Sequence, residues 1–315
     1  MLRPHNASDV AAICRSLPAF FSHDGLDKDV TMVVTSARDL RYKLLVLDVD
    51  GTLLTSQAKI SPRTRAALDR AREAGVAITL ATGRRLATVR PQLAEIGITL
   101  PVILQSGAQI VDPASGEVLY RNPLPRDEVA TAVRLTVAEG LQPILYENSA
   151  LVQHLLTGPA AHDSPAMRRY ALARPDLVRR LSYDELAQVA DPLELATIDD
   201  LPKIRPLAGR LPLAQCRTLI SYSAALDSYF LEVFHITCSK GEALRHLIQH
   251  LGLAMSDVVA VGDNYNDREM LEVAGLGVAM ANAEPEILAV ADHVTGSNDE
   301  DGIATLVDEV LVASG

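Results

Sequence analysis

KLLVLDVDGTLL, at residues 43–54, is the stretch that decides the fold. Its apolar run LLVL leads directly into Asp48 and Asp50, and Gly51 then lets the chain turn sharply. A short apolar run ended by turn residues predicts a buried strand. Residues i and i+2 of an extended chain point the same way, so the two carboxylates can face one spot. Taken alone, the pair is equally consistent with a turn or a helix cap.

The following segments alternate between helices and strands. SPRTRAALDRAREAG at 61–75 predicts a helix with Ser61 as its cap, Pro62 in its first turn and a closing glycine. VAITLAT (76–82) and PVILQSG (101–107) predict buried strands, and a helix-like stretch separates them. Strands and helices that alternate with short connections are typical of a parallel α/β sheet.

The middle of the chain has a different pattern. AQIVDPASGEVLY at 108–120 predicts a hairpin around an Asp-Pro and Ser-Gly turn. After a helix that ends at Gly140, further strand candidates are QPILYEN, LELATI, CRTLISY and YFLEVF. The alternation of helices and strands returns after Lys240. We therefore expect an α/β core split by an inserted α+β domain.

The predicted boundaries follow from these changes of pattern. The core takes residues 42–108 and 234–315, and the inserted cap domain takes residues 109–233. Residues 1–41 form an N-terminal extension to which the sequence assigns no role.

Composition excludes several classes of protein. The chain has 315 residues, 48% of them apolar and 22% charged, which is the mixture of a globular protein. With 29 basic and 40 acidic residues the net charge is −11, which disfavours nucleic-acid binding. The three cysteines show no CxxC spacing, and no apolar run is long enough to span a bilayer. Since no signal-peptide pattern opens the chain, we expect a cytoplasmic protein with no membrane or nucleic-acid partner.

A second acidic pair follows another buried strand. Asp263 and Asp267 lie in GDNYND, directly after the apolar run VVAV. Alone, they are consistent with helix capping. Together with Asp48 and Asp50, however, they place four acids at the carboxyl ends of two strands, where ligands of open α/β sheets bind. Clustered carboxylates favour a neutralising cation, and hard oxygen ligands favour Mg²⁺.

Two further segments suit an anion. Thr82 and Gly83 in LATGR end the second strand, and Lys240 in CSKGEAL opens a helix. Taken singly, the threonine is a strand-end residue and the lysine a solvated surface residue. In this order, a hydroxyl, a backbone N–H and an ammonium at a helix N-terminus can all face one phosphate.

DVDGTL, ATGR, SKG and GDNYND, in that order, resemble the four signature motifs of the haloacid dehalogenase (HAD) superfamily. The lysine directly before a helix, the GDxxND form and the later GVAMANA segment resemble its Cof-type phosphatase branch. The resemblance covers about residues 42–315, and the insertion lies where that branch carries a large α/β cap of type IIB. It implies a Rossmann-like parallel-sheet core with an inserted α+β cap.

The resemblance also implies roles for individual residues. Asp48 would be the nucleophile that forms an aspartyl-phosphate, and Asp50 the general acid and base. Mg²⁺ would be held by Asp48, Asp263 and the backbone carbonyl of Asp50, with Asp267 supporting it directly or through water. Residues expected to bind the phosphoryl group or substrate are Thr82, Lys240, Gly51, Gly83, Arg84, Ser106 and Asn266.

One position departs from the branch. Its third strand usually ends in Asn-Gly-Ala, whereas this chain has Ser106-Gly107-Ala108. Serine is shorter and has no amide, so we expect a changed contact to the substrate or the cap. Candidate specificity residues in the cap, which the sequence does not rank, are His154, His162, Arg168 and Arg169.

The sequence thus predicts a Mg²⁺-dependent phosphatase that hydrolyses phosphomonoesters of small metabolites, of the sugar phosphate or pyridoxal phosphate type. One alternative is a phosphomutase on the same scaffold, which would return phosphate to the substrate. Another is a non-catalytic phosphate-binding regulatory protein, which has no obvious need for a second carboxyl or a large insertion. The substrate and the oligomeric state are left open.

Overall fold

The computed structural model describes residues 40–311, apart from residue 148 and residues 150–152, 212–213 and 224–225. Nearly all of the N-terminal extension, residues 1–39, lies outside the described residues. So do residues 312–315 at the C-terminal end.

A five-stranded parallel sheet forms the centre of the core. Its strands are β1 Leu44–Leu47, β2 Ala77–Leu80, β12 Val258–Gly262, β13 Leu276–Ala279 and β14 His293–Val294. Their order is β14-β13-β12-β1-β2, which places β1 between β2 and β12. Because the strands are parallel, all their carboxyl ends lie along one edge of the sheet.

Helices cover both faces of this sheet. They are α1 Pro62–Glu73, α2 Leu86–Glu95, α7 Lys240–Leu251, α8 Arg268–Val273, α9 Pro285–Leu288 and α10 Gly302–Leu306. Leu45 and Leu47 pack towards the side of α1, α2 and α10, and Leu44 and Val46 towards α7 and α8. The fully apolar strand at 44–47 is therefore buried on both faces, as expected for a parallel sheet.

Helix α1 begins as the sequence predicts. Ser61 Oγ accepts a hydrogen bond from the Thr64 N–H, and Pro62 lies in the first turn. Gly75 follows the end of the helix with φ +95°, a conformation that glycine adopts without steric cost.

A three-stranded antiparallel sheet extends from the core. It contains β3 Val102–Leu104, β4 Gln109–Val111 and β5 Val118–Arg121, so the predicted hairpin is present as β4 and β5. A bridge between Ala81 and Ile103 connects it to the end of β2. The hairpin therefore pairs with a core strand. The boundaries at residues 109 and 233 stay a prediction.

The inserted segment builds a second sheet. Its strands are β6 Ile144–Tyr146, β7 Leu155–Thr157, β8 Val178–Arg180, β9 Glu194–Asp199, β10 Cys216–Ser223 and β11 Ser228–His235, in the order β10-β11-β9-β6-β7-β8. All pairs are antiparallel except β7 with β8. Its helices are α3 Arg126–Ala138, α4 Pro165–Leu172, α5 Tyr183–Leu186 and α6 Leu201–Ala208.

The two faces of this cap sheet have different coverings. Leu145 and Leu195 pack with α3 and α5, whereas Tyr146 and Ile198 pack with α4 on the opposite face. Farther along that second face, the cap meets the core, where Phe234 packs on Ala108 in one small apolar cluster. In the part of the chain that the structure describes, no helix is long and apolar enough to cross a membrane.

Candidate active site

The residues singled out by the sequence converge on the carboxyl edge of the core sheet. Asp48 follows β1, Thr82 follows β2 and Asp263 follows β12. Asp48 and Thr82 are 5% and 1% exposed, so both are buried. Three neighbouring parallel strands thus deliver a carboxylate, a hydroxyl and a second carboxylate to one place.

Lys240 lies at the centre of this place. It opens α7, whose cap Ser239 accepts a hydrogen bond from the Glu242 N–H, and its side chain is fully buried. Its ammonium donates to Asp48 Oδ1 and, at 2.5 Å, to Asp267 Oδ1. The interpretation of Lys240 as a solvated surface residue is therefore wrong, because a buried ammonium needs such partners.

Burial and mutual repulsion disturb the ionisation of this cluster. Burial raises the pKa of Asp48 well above its ordinary value, opposed by the Lys240 ammonium and reinforced by Asp267 and Asp263. Burial also raises the pKa of Asp263 to about 6, and the hydrogen bond from Thr52 opposes that rise. For Lys240, burial acts to lower the pKa, but the two carboxylates outweigh it and the pKa stands above its ordinary value. One ammonium thus only partly neutralises three carboxylates.

Asp267 is already occupied by protein donors. Its Oδ1 accepts from Lys240, and its Oδ2 accepts from the backbone N–H groups of Asp263 and Asn264, both at 3.0 Å. It also starts α8 from a fully buried position. Both oxygens therefore accept hydrogen bonds from the protein itself, and Asp267 stabilises Lys240 and the turn after β12.

The turn that follows Asp50 positions the Asp263 side chain. Thr52 Oγ1 donates to Asp263 Oδ1 at 2.7 Å. Gly51 has φ +84°, and a Cβ added there would lie 2.2 Å from Asp263 Oδ2. The Gly51 carbonyl in turn accepts from Asn282 Nδ2 at 2.9 Å. Glycine is therefore required at this position for two independent reasons, its backbone conformation and the close carboxylate.

Asp50 does not join the buried cluster in this structure. Its side chain is 61% exposed and forms two hydrogen bonds with Arg84, from Nε to Oδ2 at 2.7 Å and from Nη2 to Oδ1 at 2.5 Å. The Arg84 backbone N–H also donates to Thr82 Oγ1 at 3.1 Å. Arg84, predicted as a substrate residue, thus holds the second carboxylate of the DVD motif.

The residues that follow β2 and β3 lie next to one another at the site. Asn266 Nδ2 donates to Ser106 Oγ at 3.3 Å, and an added Cβ on Gly83 would lie 3.4 Å from that same oxygen. The Ser106 N–H donates to the Thr82 carbonyl at 3.0 Å. Ser106 therefore reaches Asn266 in spite of its short side chain, and Gly83, Ser106 and Asn266 are neighbours as the sequence predicts.

The backbone beside Ser106 is unusual in a way that the sequence hardly indicates. Gln105, Ser106 and Gly107 all have positive φ, at +49°, +53° and +103°. Left-handed conformations cost a residue with a Cβ about 1–2 kcal/mol, and they concentrate at functional sites. Only Gly107 gives a signal in the sequence, since an added Cβ there would lie 2.1 Å from the Ser239 carbonyl oxygen.

The hydrogen bonds of the candidate cap residues stay within the cap. His154 pairs with Glu147 at 2.7 Å, His162 bonds to the Tyr183 hydroxyl at 2.8 Å, and Arg169 donates to a backbone carbonyl within the cap. Arg168 is exposed on α4. Cap residues that contact the core include Tyr146, Gln153, Glu194 and Arg217, which the sequence did not indicate.

The donor set suits a divalent cation. Asp48, Asp263 and Asp267 each offer an oxygen, and these oxygens lie within 4.8 Å of one another. Hard carboxylate oxygens with raised pKa values are the groups that a Mg²⁺ ion would stabilise in ionised form. Asp48 and Asp263 each retain an oxygen that accepts no hydrogen bond from the described residues. They are therefore the direct ligands that the geometry favours.

Comparison with protein families agrees with this arrangement. Residues 45–307 match the model of the haloacid dehalogenase-like hydrolases. The chain belongs to that family. The predicted superfamily, its Cof-type branch and the α/β fold are therefore confirmed, as is an enzyme of the phosphoric monoester hydrolase type.

Several HAD relatives carry names that state an activity. The chain is 35% identical to the HMP-PP phosphatase of Cronobacter sakazakii over 80% of this chain and 89% of that protein. It is 30% identical to the pyridoxal phosphate phosphatase YbhA of Escherichia coli, over 86% of this chain and 99% of that protein. Phosphatase YwpJ of Bacillus subtilis is also 30% identical, over 85% of this chain and all of that protein.

Solved HAD structures have the same architecture. A haloacid dehalogenase-like hydrolase from Bacteroides thetaiotaomicron superimposes with a TM-score of 0.71 at 28% identity, over 85% of this chain and 99% of that one. The HAD subclass IIB sugar phosphatase BT4131 gives a TM-score of 0.70 at 24% identity, over 84% of this chain and 98% of that one. At that identity the second likeness shows the fold alone, which includes the inserted cap.

Proposed function

We propose that this HAD enzyme is a Mg²⁺-dependent phosphatase of small phosphorylated metabolites that works through an aspartyl-phosphate on Asp48. The observation that carries the proposal is the buried ammonium of Lys240 between Asp48 and Asp267, with Asp263 beside them. An acidic cluster with one internal cation, at the carboxyl edge of a parallel sheet, suits the binding of a metal and a phosphate together.

The metal would be held by Asp48 and Asp263, with the backbone carbonyl of Asp50 as the third protein ligand that the family implies. When bound, Mg²⁺ supplies the charge that lets a carboxylate and a phosphate dianion approach each other. Asp267 acts on the metal site indirectly, since its two oxygens accept hydrogen bonds from Lys240 and from the turn after β12.

The first chemical step falls to Asp48. Its carboxylate oxygen attacks phosphorus, so that an O–P bond forms to Asp48 while the bond from phosphorus to the leaving oxygen breaks. Asp50 donates a proton to that leaving oxygen, and the alcohol departs. Arg84 keeps the Asp50 side chain at the mouth of the site, where it can reach a bound substrate from the exposed side.

The second step returns the enzyme to its starting state. Asp50, now a carboxylate, takes a proton from a water molecule, and that water attacks the phosphorus of the aspartyl-phosphate. The bond from Asp48 to phosphorus breaks, inorganic phosphate leaves and Asp50 is again protonated. Lys240 stays protonated throughout, because the two carboxylates beside it hold its pKa above the ordinary value.

The remaining polar groups suit the oxygens of the phosphoryl group. The donors at or near the strand ends are Thr82 Oγ1, the Gly83 N–H, the Gly51 N–H, Asn266 Nδ2 and the Lys240 ammonium. Charge develops on these oxygens during transfer, so positioned donors contribute most there. The names of the E. coli and C. sakazakii relatives support a small phosphorylated metabolite as the substrate. A cytoplasmic location stays a prediction.

The test is release of inorganic phosphate from a panel of several dozen phosphorylated metabolites, with and without added Mg²⁺. We expect Mg²⁺-dependent release that the isosteric Asp48→Asn variant lacks, while circular dichroism and thermal unfolding show an intact fold. Full activity in that variant would disprove the aspartyl-phosphate mechanism. A requirement for a bisphosphate activator, with phosphate returned to the substrate, would instead indicate a mutase. Mg²⁺-dependent ligand binding without any turnover would indicate a regulatory protein.

A further inference from the structure

Two asparagines that the proposed mechanism does not use hold the turn after β1. Asn282 lies in the GVAMANA segment, just after β13, and its Nδ2 donates to the Gly51 carbonyl at 2.9 Å. Asn298 Nδ2 donates to the Leu54 carbonyl at 2.8 Å. The two asparagines are also joined to each other, because the Asn298 N–H donates to Asn282 Oδ1 at 2.9 Å. Two carbonyls of one turn are therefore bonded to a linked pair of side chains.

This turn carries several groups of the proposed active site. The Leu54 N–H donates to the Val49 carbonyl at 2.9 Å, so the residues between them form one closed loop. The loop contains Asp50, which supplies the acid–base side chain and the backbone carbonyl assigned to the metal. It also contains Thr52, whose hydroxyl donates to Asp263 Oδ1 at 2.7 Å. A shift of this loop would therefore change the position of Asp50 relative to the Asp263 carboxylate.

The segment after β13 contacts both sides of the proposed metal site. Besides the bond from Asn282 to the Gly51 carbonyl, the Glu284 N–H donates to the Asp263 carbonyl at 3.2 Å. The two turns approach closely here, since a Cβ added to Gly51 would lie 2.2 Å from Asp263 Oδ2. Because the segment after β13 is bonded to both turns, it fixes their separation.

Asn298 lies in a loop that is itself closed by hydrogen bonds. Ser297 Oγ donates to Glu300 Oε2 at 2.8 Å, which closes the loop around Asn298. The neighbouring Asp299 Oδ1 accepts from the Ser56 N–H at 2.8 Å, a second bond from this loop to the segment after β1. The asparagine pair is therefore attached to a closed loop at one end and to the end of β13 at the other, so it resists movement of the turn that it holds.

We propose that Asn282 and Asn298 are positioning residues of the phosphatase, which fix the turn with Asp50 relative to Asp263 so that the metal ligands are in place before Mg²⁺ binds. This inference rests on the proposed function and adds to it two residues that act through the backbone of the turn. Mg²⁺ requires a nearly ideal octahedral arrangement of its ligands, so a small displacement of one ligand weakens binding. Outer hydrogen bonds that orient metal ligands typically change metal affinity or activity about 10–100-fold.

The test uses the full chain and begins with Mg²⁺ binding in the absence of substrate, measured by isothermal titration calorimetry. Asn282→Ala should raise the Mg²⁺ Kd about tenfold or more, and Asn298→Ala should raise it less, because the bond from Asn282 to Gly51 remains. In chelator, hydrogen exchange of a peptide covering residues 49–56 should be about threefold or more faster in Asn282→Ala than in the wild type.

Kinetics supply a third measurement, with the phosphomonoester that the wild-type enzyme hydrolyses best. At saturating Mg²⁺, kcat of Asn282→Ala should fall about tenfold, because Asp50 is no longer held in place. KM should change by less than about twofold, since the residues that bind the phosphate are unaltered. A merely structural role would not separate kcat from KM in this way.

Ser61→Ala is the matched control, because it removes a hydrogen bond to Asp301 between the same C-terminal loop and the same segment after β1. It also removes the cap of α1, so it should lower thermal stability. The Mg²⁺ Kd, the exchange of the peptide at 49–56 and kcat should nevertheless stay at their wild-type values, since Ser61 does not touch the turn with Asp50.

If Asn282→Ala does not fold, Asn298→Ala supplies the test with the same three measurements. Wild-type Mg²⁺ affinity and exchange in a folded asparagine variant, or equal changes in Ser61→Ala, overturn the positioning role while leaving the phosphatase intact. Failure of the wild-type chain to bind Mg²⁺ or to hydrolyse any phosphomonoester overturns the proposed function, and this inference with it.

Discussion

The replacement of Lys240 by methionine should be the most damaging single change to stability in the site. The methionine side chain has a similar length but removes an ammonium that is fully buried between Asp48 and Asp267. Two carboxylates would then face each other, with Asp263 nearby and no cation among them. Loss of one partner from a buried ion pair typically costs about 3–5 kcal/mol, so we expect a loss of unfolding free energy in that range.

The assay is urea unfolding followed by circular dichroism, with chelator and with added Mg²⁺. In chelator, the midpoint of Lys240→Met should shift down by about 1–5 M, given a slope of about 1–3 kcal/mol per molar urea. Because Mg²⁺ binds carboxylates in the folded state, its addition should recover part of the loss. Phosphatase activity of Lys240→Met should also fall, because the phosphoryl group is then transferred without the positive charge of Lys240 beside it.

Lys203→Met is the control for this prediction. The Lys203 side chain is 58% exposed and pairs at 2.8 Å with the buried Asp199 carboxylate, so the same substitution removes an ammonium that lies largely in solvent. Because that ammonium stays hydrated, its loss should cost less than the loss of an ammonium that is fully buried. If Lys240→Met were no more destabilised than Lys203→Met, the buried ammonium would not be the internal counter-charge of the cluster, and the reasoning would fail.

Three further changes test other features. Gly51→Ala should lower kcat about tenfold or more, because the backbone there has φ +84° and the added Cβ would meet the Asp263 carboxylate. Gly97→Ala is its control: with φ +62° and open space around it, this change should cost only about 1–2 kcal/mol of stability. Arg84→Met should lower kcat about tenfold through loss of the paired contact to Asp50, and Arg84→Lys should not restore it, since lysine cannot form that fork. Burial raises the pKa of Glu194 to about 8, so the folded state keeps a proton that the unfolded chain loses near its ordinary 4.5. The contribution of Glu194 to stability should therefore be fullest below about pH 4.5 and be lost as pH rises through 8. Glu194→Gln should show a smaller fall than the wild type, since Glu232 and Asp263, with pKa values raised to about 7 and about 6, remain. Parallel urea titrations across this range measure the difference.

Much of the fold could be predicted because its signals are local. The apolar run at 44–47, the Ser61 cap and the hairpin turn each act over a few residues, and all appear in the structure. The same locality places Asp48 and Asp263 at strand ends. Which side chains meet there, and that Lys240 is buried between carboxylates, depends on β1 pairing with β12. Their catalytic roles stay predictions.

Other elements follow from tertiary packing rather than from local signals. Helix α6 contains Pro206 in its interior, which argues against a helix, yet Ile204 and Leu207 pack against Leu231 of the cap sheet. Strand β8 reads VRR and has no apolar alternation, but it pairs with β7. In both cases, contacts with distant residues outweigh the intrinsic preference of the segment.

The active-site pairs are hidden from the sequence for the same reason. The Asp50 and Arg84 side chains meet across 34 residues, and Gln105 meets Glu194 across 89. No periodicity or spacing links such positions. Only the left-handed backbone at residues 105–107, which the sequence marks with a single glycine, brings Gln105 to the cap.

The position of β1 in the middle of the core sheet has a consequence for synthesis on the ribosome. One neighbour, β2, emerges soon after it, but the other, β12, follows more than 200 residues later, beyond the whole inserted cap. At about 5–20 residues per second, that delay is roughly 10–40 s. During this interval β1 has one unpaired edge, and Asp48 has neither Lys240 nor Asp263 beside it. The cap strands, in contrast, pair with partners that are made together, so the cap can fold on the nascent chain before the catalytic core closes.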